Sequence, residues 1–254
     1  MNQQSTDQEI AGYSAFPIVS TMLTLLFISS VSHADQPTRF TDDPHYTPVG
    51  FFDMHVCNWT DRPNFFLIVF TTERFNEIKS VDVTRPNGQF LMGMDLSRHR
   101  VMLRKNKPEK RAFIEQFSLP SDASNGWYTA RITLHNGEVY IAKDYIINYI
   151  MPAASGIIPP DGSKNITVPT ALKWDPVPGA AFYKVYIKDV WEGKEIYESK
   201  LLSTPLLELP PDLIKPESYY SWRIHARDVN ENILLGDFNH GSFTGENKFS
   251  TAEK

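Results

Sequence analysis

The 254-residue chain has a single cysteine, Cys57, so no intrachain disulfide can form and no cysteine-built zinc site is available. Folding must therefore rest on the burial of apolar side chains. Charge bias is missing too: 25 basic residues face 30 acidic ones, a net charge of -5. This lacks the basic excess of a nucleic-acid binder, and no nucleic-acid partner is expected. No stretch keeps an apolar period of 3.6, so no helix of ordinary length is predicted. Absent as well are a His-Glu-x-x-His pair, a glycine-rich phosphate loop and a nucleophile elbow. A Ser/His/acid triad stays open on residue types alone, but nothing in the sequence places three such residues together. No catalytic residue, cofactor or metal ligand is assigned, and the chain is expected not to be an enzyme.

One stretch is free of charge. Residues 10–32 carry no Lys, Arg, Asp or Glu and centre on Met22-Leu23-Thr24-Leu25-Leu26-Phe27-Ile28. Ser32-His33-Ala34 follows, a small-x-small site suited to cleavage before Asp35. Residues 1–34 are read as an export signal, which makes the protein periplasmic or secreted. The alternative is an uncleaved membrane anchor, since the run is close to the ~20 residues that a span needs. The region ahead of it holds Asp7 and Glu9 and no Lys or Arg.

The remaining chain is rich in short alternating runs broken by turn chemistry. After a proline-bearing leader, 35–48, expected to be loosely ordered, runs at 50–57 and 64–71 form a first pair of strands. Residues 65–70, Phe-Phe-Leu-Ile-Val-Phe, read as a central strand. Runs at 81–85 and 89–92 flank Pro86-Asn87-Gly88, where proline presets φ and Asn-Gly accepts positive φ. A strand at 112–117 follows. The clearest hairpin joins 127–134 to 139–146 through His135-Asn136-Gly137-Glu138. Seven strands with such regular turns predict an immunoglobulin-like sandwich over 49–150. Residues 151–158 form a linker too short to separate two units widely, so they are expected to touch end to end. A second sandwich is expected over 159–254.

In that second part Leu172, Trp174, Tyr183, Val185 and Ile187 follow a period of two, as do Tyr220, Trp222, Ile224 and Ala226, which point inward while Ser221, Arg223 and His225 point out. Val190-Trp191-Glu192-Gly193-Lys194 reads as a hairpin turn, with 195–198 returning. Trp174, a third-strand tyrosine at Tyr183 or Tyr186, and the run Ile214-x-Pro216-x-x-x-Tyr220 together resemble a fibronectin type III domain covering about 159–251. The resemblance implies a second antiparallel sandwich with Trp174 in its core and Tyr220 as a tyrosine corner, its hydroxyl bonded to upstream backbone. It implies nothing about activity. Residues 233–249, with three glycines and no clean alternation, are expected to hold the final strand. The fold class is thus all-β, two consecutive antiparallel sandwiches.

Three features could carry function. Residues 98–111 hold seven Lys or Arg against one Glu, including Arg98, Arg100, Arg104 and Lys105, which would attract a polyanion or guard a strand edge. Trp59, Trp127 and Trp191 are candidates for an exposed aromatic platform, Trp191 foremost because it sits at a turn. Asp53 and His55, two apart on one strand, share a face and could ligate a metal, with His45 as a third ligand; ordinary packing roles compete with that. Cys57 is read as a small buried hydrophobe. The reading that follows is a non-catalytic exported module that binds a protein or glycan partner in the envelope or outside the cell, through sandwich loops such as 175–181 and 228–236 or an edge strand. A carbohydrate-binding accessory module or adhesin is the alternative, and a metal-dependent hydrolase the third reading. Membrane contact is expected only through an uncleaved signal.

Overall fold

The computed structural model describes residues 43–103, 105–228 and 238–253. The expected signal at 1–34, the start of the leader, Arg104 and most of the 228–236 loop lie outside the described residues. Among those described, the regular structure is seventeen strands and one three-residue 3-10 turn, so the chain is all-β. Among the described residues, no helix is long and apolar enough to cross a membrane.

In the first half, β2 (Gly50–Trp59), β3 (Phe65–Thr72), β7 (Lys110–Ser118) and β6 (His99–Met102) lie side by side in that order, all antiparallel. A second sheet runs β5 (Phe90–Gly93), β4 (Ile78–Thr84), β8 (Gly126–Leu134), β9 (Val139–Ile146). Phe52, Met54, Phe66, Ile68 and Phe70 of the first sheet share one buried cluster with Val81, Val83, Ala130 and Ile132 of the second. Each such side chain contributes about 1.5–3 kcal/mol through removal from water. The turns form as their residues dictate. Gly88 and Gly137 hold φ of 81° and 90°, and Asn87 and Asn136 each accept a hydrogen bond from the N–H two residues on, both at 3.0 Å.

In the second half, a two-stranded sheet of β11 (Ala171–Lys173) and β14 (Leu206–Glu208) lies across a hydrophobic core from β12 (Phe182–Asp189), β13 (Lys194–Glu198) and β15 (Tyr219–Arg227). Trp174 packs edge-on against Tyr183 at 5.3 Å and tilted against Trp222 at 6.3 Å. The Tyr220 ring lies 5.6 Å from Phe249, and its hydroxyl accepts the Lys215 N–H at 3.0 Å. That is the tyrosine corner in geometry as well as in pattern. Tyr183 pins another loop the same way, its hydroxyl accepting the Val177 N–H at 2.9 Å.

Four expectations need correction. Residues 233–249 do not hold one last strand. The chain forms β16 (His240–Phe243) and then β17 (Asn247–Thr251), and β15 pairs with β17 along Tyr219 to Trp222 and with β16 along His225 to Arg227. The leader is not loose up to residue 48: β1 (Tyr46–Thr47) pairs with β2, and Asp43 and His45 are buried. The two halves do not meet end to end either. β16 runs parallel to β2, from His240 opposite Val56 to Phe243 opposite Trp59, so one sheet of eleven strands passes through both halves. The linker joins in, because Met151 is buried in the second core. The fourth correction follows from the third. Ser221 is buried and Arg223 and His225 are half-buried rather than solvated; the Phe243 ring of β16 lies against Arg223 and His225, and Phe238 lies against His225.

Candidate functional site

The residues singled out by sequence lie in three separate places. The basic run sits at the terminal strand β6, bonded on one side to β7. Arg98 and Arg100 line an open groove of about 430 Å³ together with Ala112, Ile114, Glu115 and Gln116. Arg98, Arg100 and Lys105 are exposed, and so are the apolar Val101, Met102 and Leu103 between them. A sheet edge carrying charge in this way resists pairing with another chain. Trp191, at the β12–β13 turn, is 68% exposed and borders a groove of about 550 Å³ with Asn165, Glu217, Ser218 and Ser250. Trp59 does not form a platform. It is only partly accessible, wedged edge-on against Phe65 at 5.1 Å and tilted against Phe243 of β16 at 5.6 Å, with the Arg62 guanidinium 4.9 Å from its ring. The β16–β2 pairing brings that packing about, and no local pattern around Trp59 signals it.

The outer face of β8 and β9 gathers further exposed apolar groups. Trp127 meets its cross-strand neighbour Tyr145 edge-on at 5.3 Å, and Val139, Ile141, Ile147 and Tyr149 continue the stripe along β9 and past its end. Trp127 and Ile141 are 44% and 47% exposed. Arg131, opposite Ile141, and Lys143, opposite Thr129, flank the stripe and are exposed. The alternation in 139–146 announces that these side chains share a face. It does not reveal that the apolar face is the outer one, because the inner positions Ala142 and Asp144 are small or polar.

Polar groups lie buried where the halves join. His240 of β16 faces two acceptors, the Asp228 carboxylate at 2.6 Å from Nδ1 and the Ile147 carbonyl at 2.7 Å from Nε2. Two acceptors on one ring call for the imidazolium form. Burial disfavours that charge, but the bonds to Asp228 and Ile147 and the Asp228 charge together outweigh it and raise the His240 pKa. Burial likewise pushes Asp228 up, and its hydrogen bonds from the His240 ring and from the N–H groups of His240 and Asn239 prevail to hold it low. Asn58 donates to the Met151 carbonyl at 2.9 Å and Ser242 to the Pro152 carbonyl at 2.8 Å, both across the join. His225, shielded by Phe238 and Phe243, is driven down to about 3 by burial and then by the Arg227 charge, so its ring is neutral.

Beside this lies a second polar cluster. His45, just before β1, bonds through Nδ1 to Asp43 at 2.9 Å, and its Nε2 lies 3.0 Å from Asp144 of β9. Asp144 Oδ2 also accepts the Met54 N–H of β2 at 2.8 Å. Asp53 and His55 share a face of β2 as their spacing requires, 3.3 Å apart, but His55 Nδ1 donates to the Phe238 carbonyl at 2.6 Å. The ligand atoms of His45, Asp53 and Asp144 all fall within 4.8 Å of one another. Burial raises the Asp53 pKa against the opposing influence of His55. For His45 burial acts downward, and the close approach and charge of Asp144, the hydrogen bond to Asp43 and the Asp53 charge carry the balance upward. Asp53 and His55 are enclosed, 5% and 4% exposed, so no substrate reaches them and the hydrolase reading loses its site. Asp144 had no signal in the sequence, being one acidic residue in a strand that otherwise alternates. Cys57, next to this region on β2, is buried, and burial pushes its thiol up to about 12.

No family model matches the chain, and no curated protein matches it. Among solved structures, it is similar to the FN1-FN3 domains of chicken CNTN1, at 12% identity and a TM-score of 0.33, covering 79% of this chain and 64% of that one. It is also similar to dimeric latent PorU from Porphyromonas gingivalis, at 12% identity and a TM-score of 0.28, over 80% of this chain and 20% of that one. A third likeness is to SGBP-B of the Bacteroides ovatus mixed-linkage glucan utilization locus, in complex with a mixed-linkage heptasaccharide, at 11% identity and a TM-score of 0.25, over 78% of this chain and 42% of that one. The chain thus spans less than two thirds of each of these three.

Proposed function

We propose that the protein is a non-catalytic binding module, exported to the envelope or the cell exterior, that holds a protein partner on the outer face of β8 and β9. The exposed stripe of Trp127, Ile141, Tyr145, Ile147 and Tyr149 supports this reading. Aromatic and aliphatic groups of this kind, gathered at the centre of a face with charge at its rim, are what binding surfaces concentrate. Arg131 and Lys143 favour a partner that offers an apolar strand or helix edged with carboxylates. The test is recovery of partner from the exported fraction of the native cell by wild-type protein and by Trp127→Ala and Ile141→Glu. Both changes are on the outer face and leave the core intact. A partner held by wild type and lost from both variants supports the reading; equal recovery refutes it. Turnover in a broad hydrolase screen, abolished by one Ser, His or Asp substitution, would overturn the non-catalytic assignment.

A second reading takes a glycan at Trp191. An exposed indole at the border of a groove lined also by Asn165, Glu217 and Ser250 suits a sugar ring. A silent glycan array with unchanged tryptophan fluorescence removes it.

A further inference from the structure

We propose that His45, Asp53 and Asp144 hold one divalent cation of the transition series, with zinc the natural probe, as a structural clamp inside the fold. The inference is independent of the binding reading above. The three donors converge from the segment before β1, from β2 and from β9, and lie within 4.8 Å of one another. One ion with ligand bonds of about 2.0–2.2 Å spans donors at most ~4.4 Å apart, so a small inward movement of these side chains lets one ion take all three.

Two further observations point to an ion. The first is how His45 is held. Its Nδ1 donates to Asp43 Oδ1, which also accepts the His45 N–H at 3.0 Å, so the ring is fixed with the Nε2 lone pair directed at the carboxylates. Nε2 lies 3.0 Å from Asp144 Oδ1 without a hydrogen bond of standard geometry. A carboxylate behind one imidazole nitrogen and an open lone pair on the other is how proteins orient a metal-binding histidine. The second is Asp53, 5% exposed, whose Oδ1 is buried and meets no hydrogen-bond donor. A carboxylate oxygen left bare in the interior is costly unless a cation takes it. The carboxylates of Asp43, Asp53 and Asp144 face the His45 and His55 rings; with His45 neutral, as a metal ligand must be, a divalent ion supplies the positive charge these acids need. One imidazole among carboxylates favours the zinc-like cations over calcium, which takes six to eight oxygens. Enclosure of all three ligands gives the ion a tethering role, fixing the segment that carries His45 across both sheets.

The test begins with full-length mature protein purified without chelator and without affinity nickel, analysed for metals by mass spectrometry. About one transition-metal ion per chain is expected, and at most a tenth of that in Asp53→Asn. A buried ion exchanges slowly, so the protein is then unfolded with chelator and refolded with or without 10 µM zinc, about 100 times the dissociation constant expected. Zinc should raise the melting temperature of wild type by about 5 °C or more and leave Asp53→Asn unmoved. Asp43→Asn, which touches His45 alone, should bind with roughly 10–100-fold lower affinity. If Asp53→Asn does not fold, the wild-type comparison still decides. Refolded wild type that takes up no zinc and melts at the same temperature either way overturns the site, and so does zinc bound equally well by Asp53→Asn.

Discussion

Replacing His240 by alanine tests the join between the halves directly. The ring is nearly buried and its two nitrogens meet Asp228 of the second half and the Ile147 carbonyl at the end of the first. Removing one partner of a buried ion pair costs about 3–5 kcal/mol. Asp228 is partly exposed, 18% by side chain, and keeps the Asn239 and residue-240 N–H groups at 2.8 and 2.9 Å, so the loss falls at or just below the bottom of that range, about 2–3 kcal/mol. For a chain of this size each 1 kcal/mol shifts the melting temperature by about 2–4 °C, which places the loss at about 4–12 °C. The pH dependence follows from the same contacts. His240 is raised in the folded state, so its contribution is complete below the ordinary histidine value and disappears as pH rises through the folded one. Asp228 is lowered, so its contribution is present above the ordinary aspartate value and is lost as pH falls through the folded one. Wild type should gain most over His240→Ala between about pH 4 and 6.5, and the gap should narrow on the alkaline side. His55 also faces this ring, where its charge works against the His240 imidazolium, and it is present in both proteins. Melting curves from pH 4 to 9 check it. A gap below about 1 kcal/mol, or one that is flat with pH, refutes the assignment of an imidazolium to the join.

Three more outcomes are expected. Tyr220→Phe removes the acceptor for the Lys215 N–H and should cost about 1–2 kcal/mol in urea unfolding with unchanged m. Gly241→Ala places a methyl 3.0 Å from His225 Nε2 and 3.1 Å from Phe238 in the strand that carries the join, and should destabilise by about 1–3 kcal/mol in the same assay. Cys57, buried with its thiol at about 12, should stay unreactive toward an aromatic disulfide reagent at pH 8 in native protein and react in guanidinium; rapid native labelling would contradict its placement.

Alternation was enough to fix the strands. Phe52, Met54 and Val56, or Tyr220, Trp222, Ile224 and Ala226, face inward because a pleated strand sends every second side chain to one side, and a nonpolar set of that period has to be buried. The turns at Asn87-Gly88 and Asn136-Gly137, and the spacing from Ile214 to Tyr220, were equally local. A strand pattern states which residues share a face but carries no information on what covers it, and there the reading failed. Ser221, Arg223 and His225 were expected in water because polar residues alternated with the core, yet Ser221 is buried and the Phe243 ring, from a strand far along the chain, lies against Arg223 and His225.

The same limit explains the cluster of His45, Asp53 and Asp144. Spacing joined Asp53 to His55, two residues apart on one strand, whereas the geometry turned His55 toward the Phe238 carbonyl and supplied Asp144 from a strand some ninety residues on. From its amino acids alone this protein was bound to be a series of half-buried strands with a tyrosine corner, since backbone stereochemistry and apolar burial act over a few residues. Only the folded chain decided that two sandwiches share one continuous sheet, and which acids and imidazoles are enclosed at their junction. Those contacts depend on edge strands far apart in sequence finding each other, and no local pattern encodes that meeting.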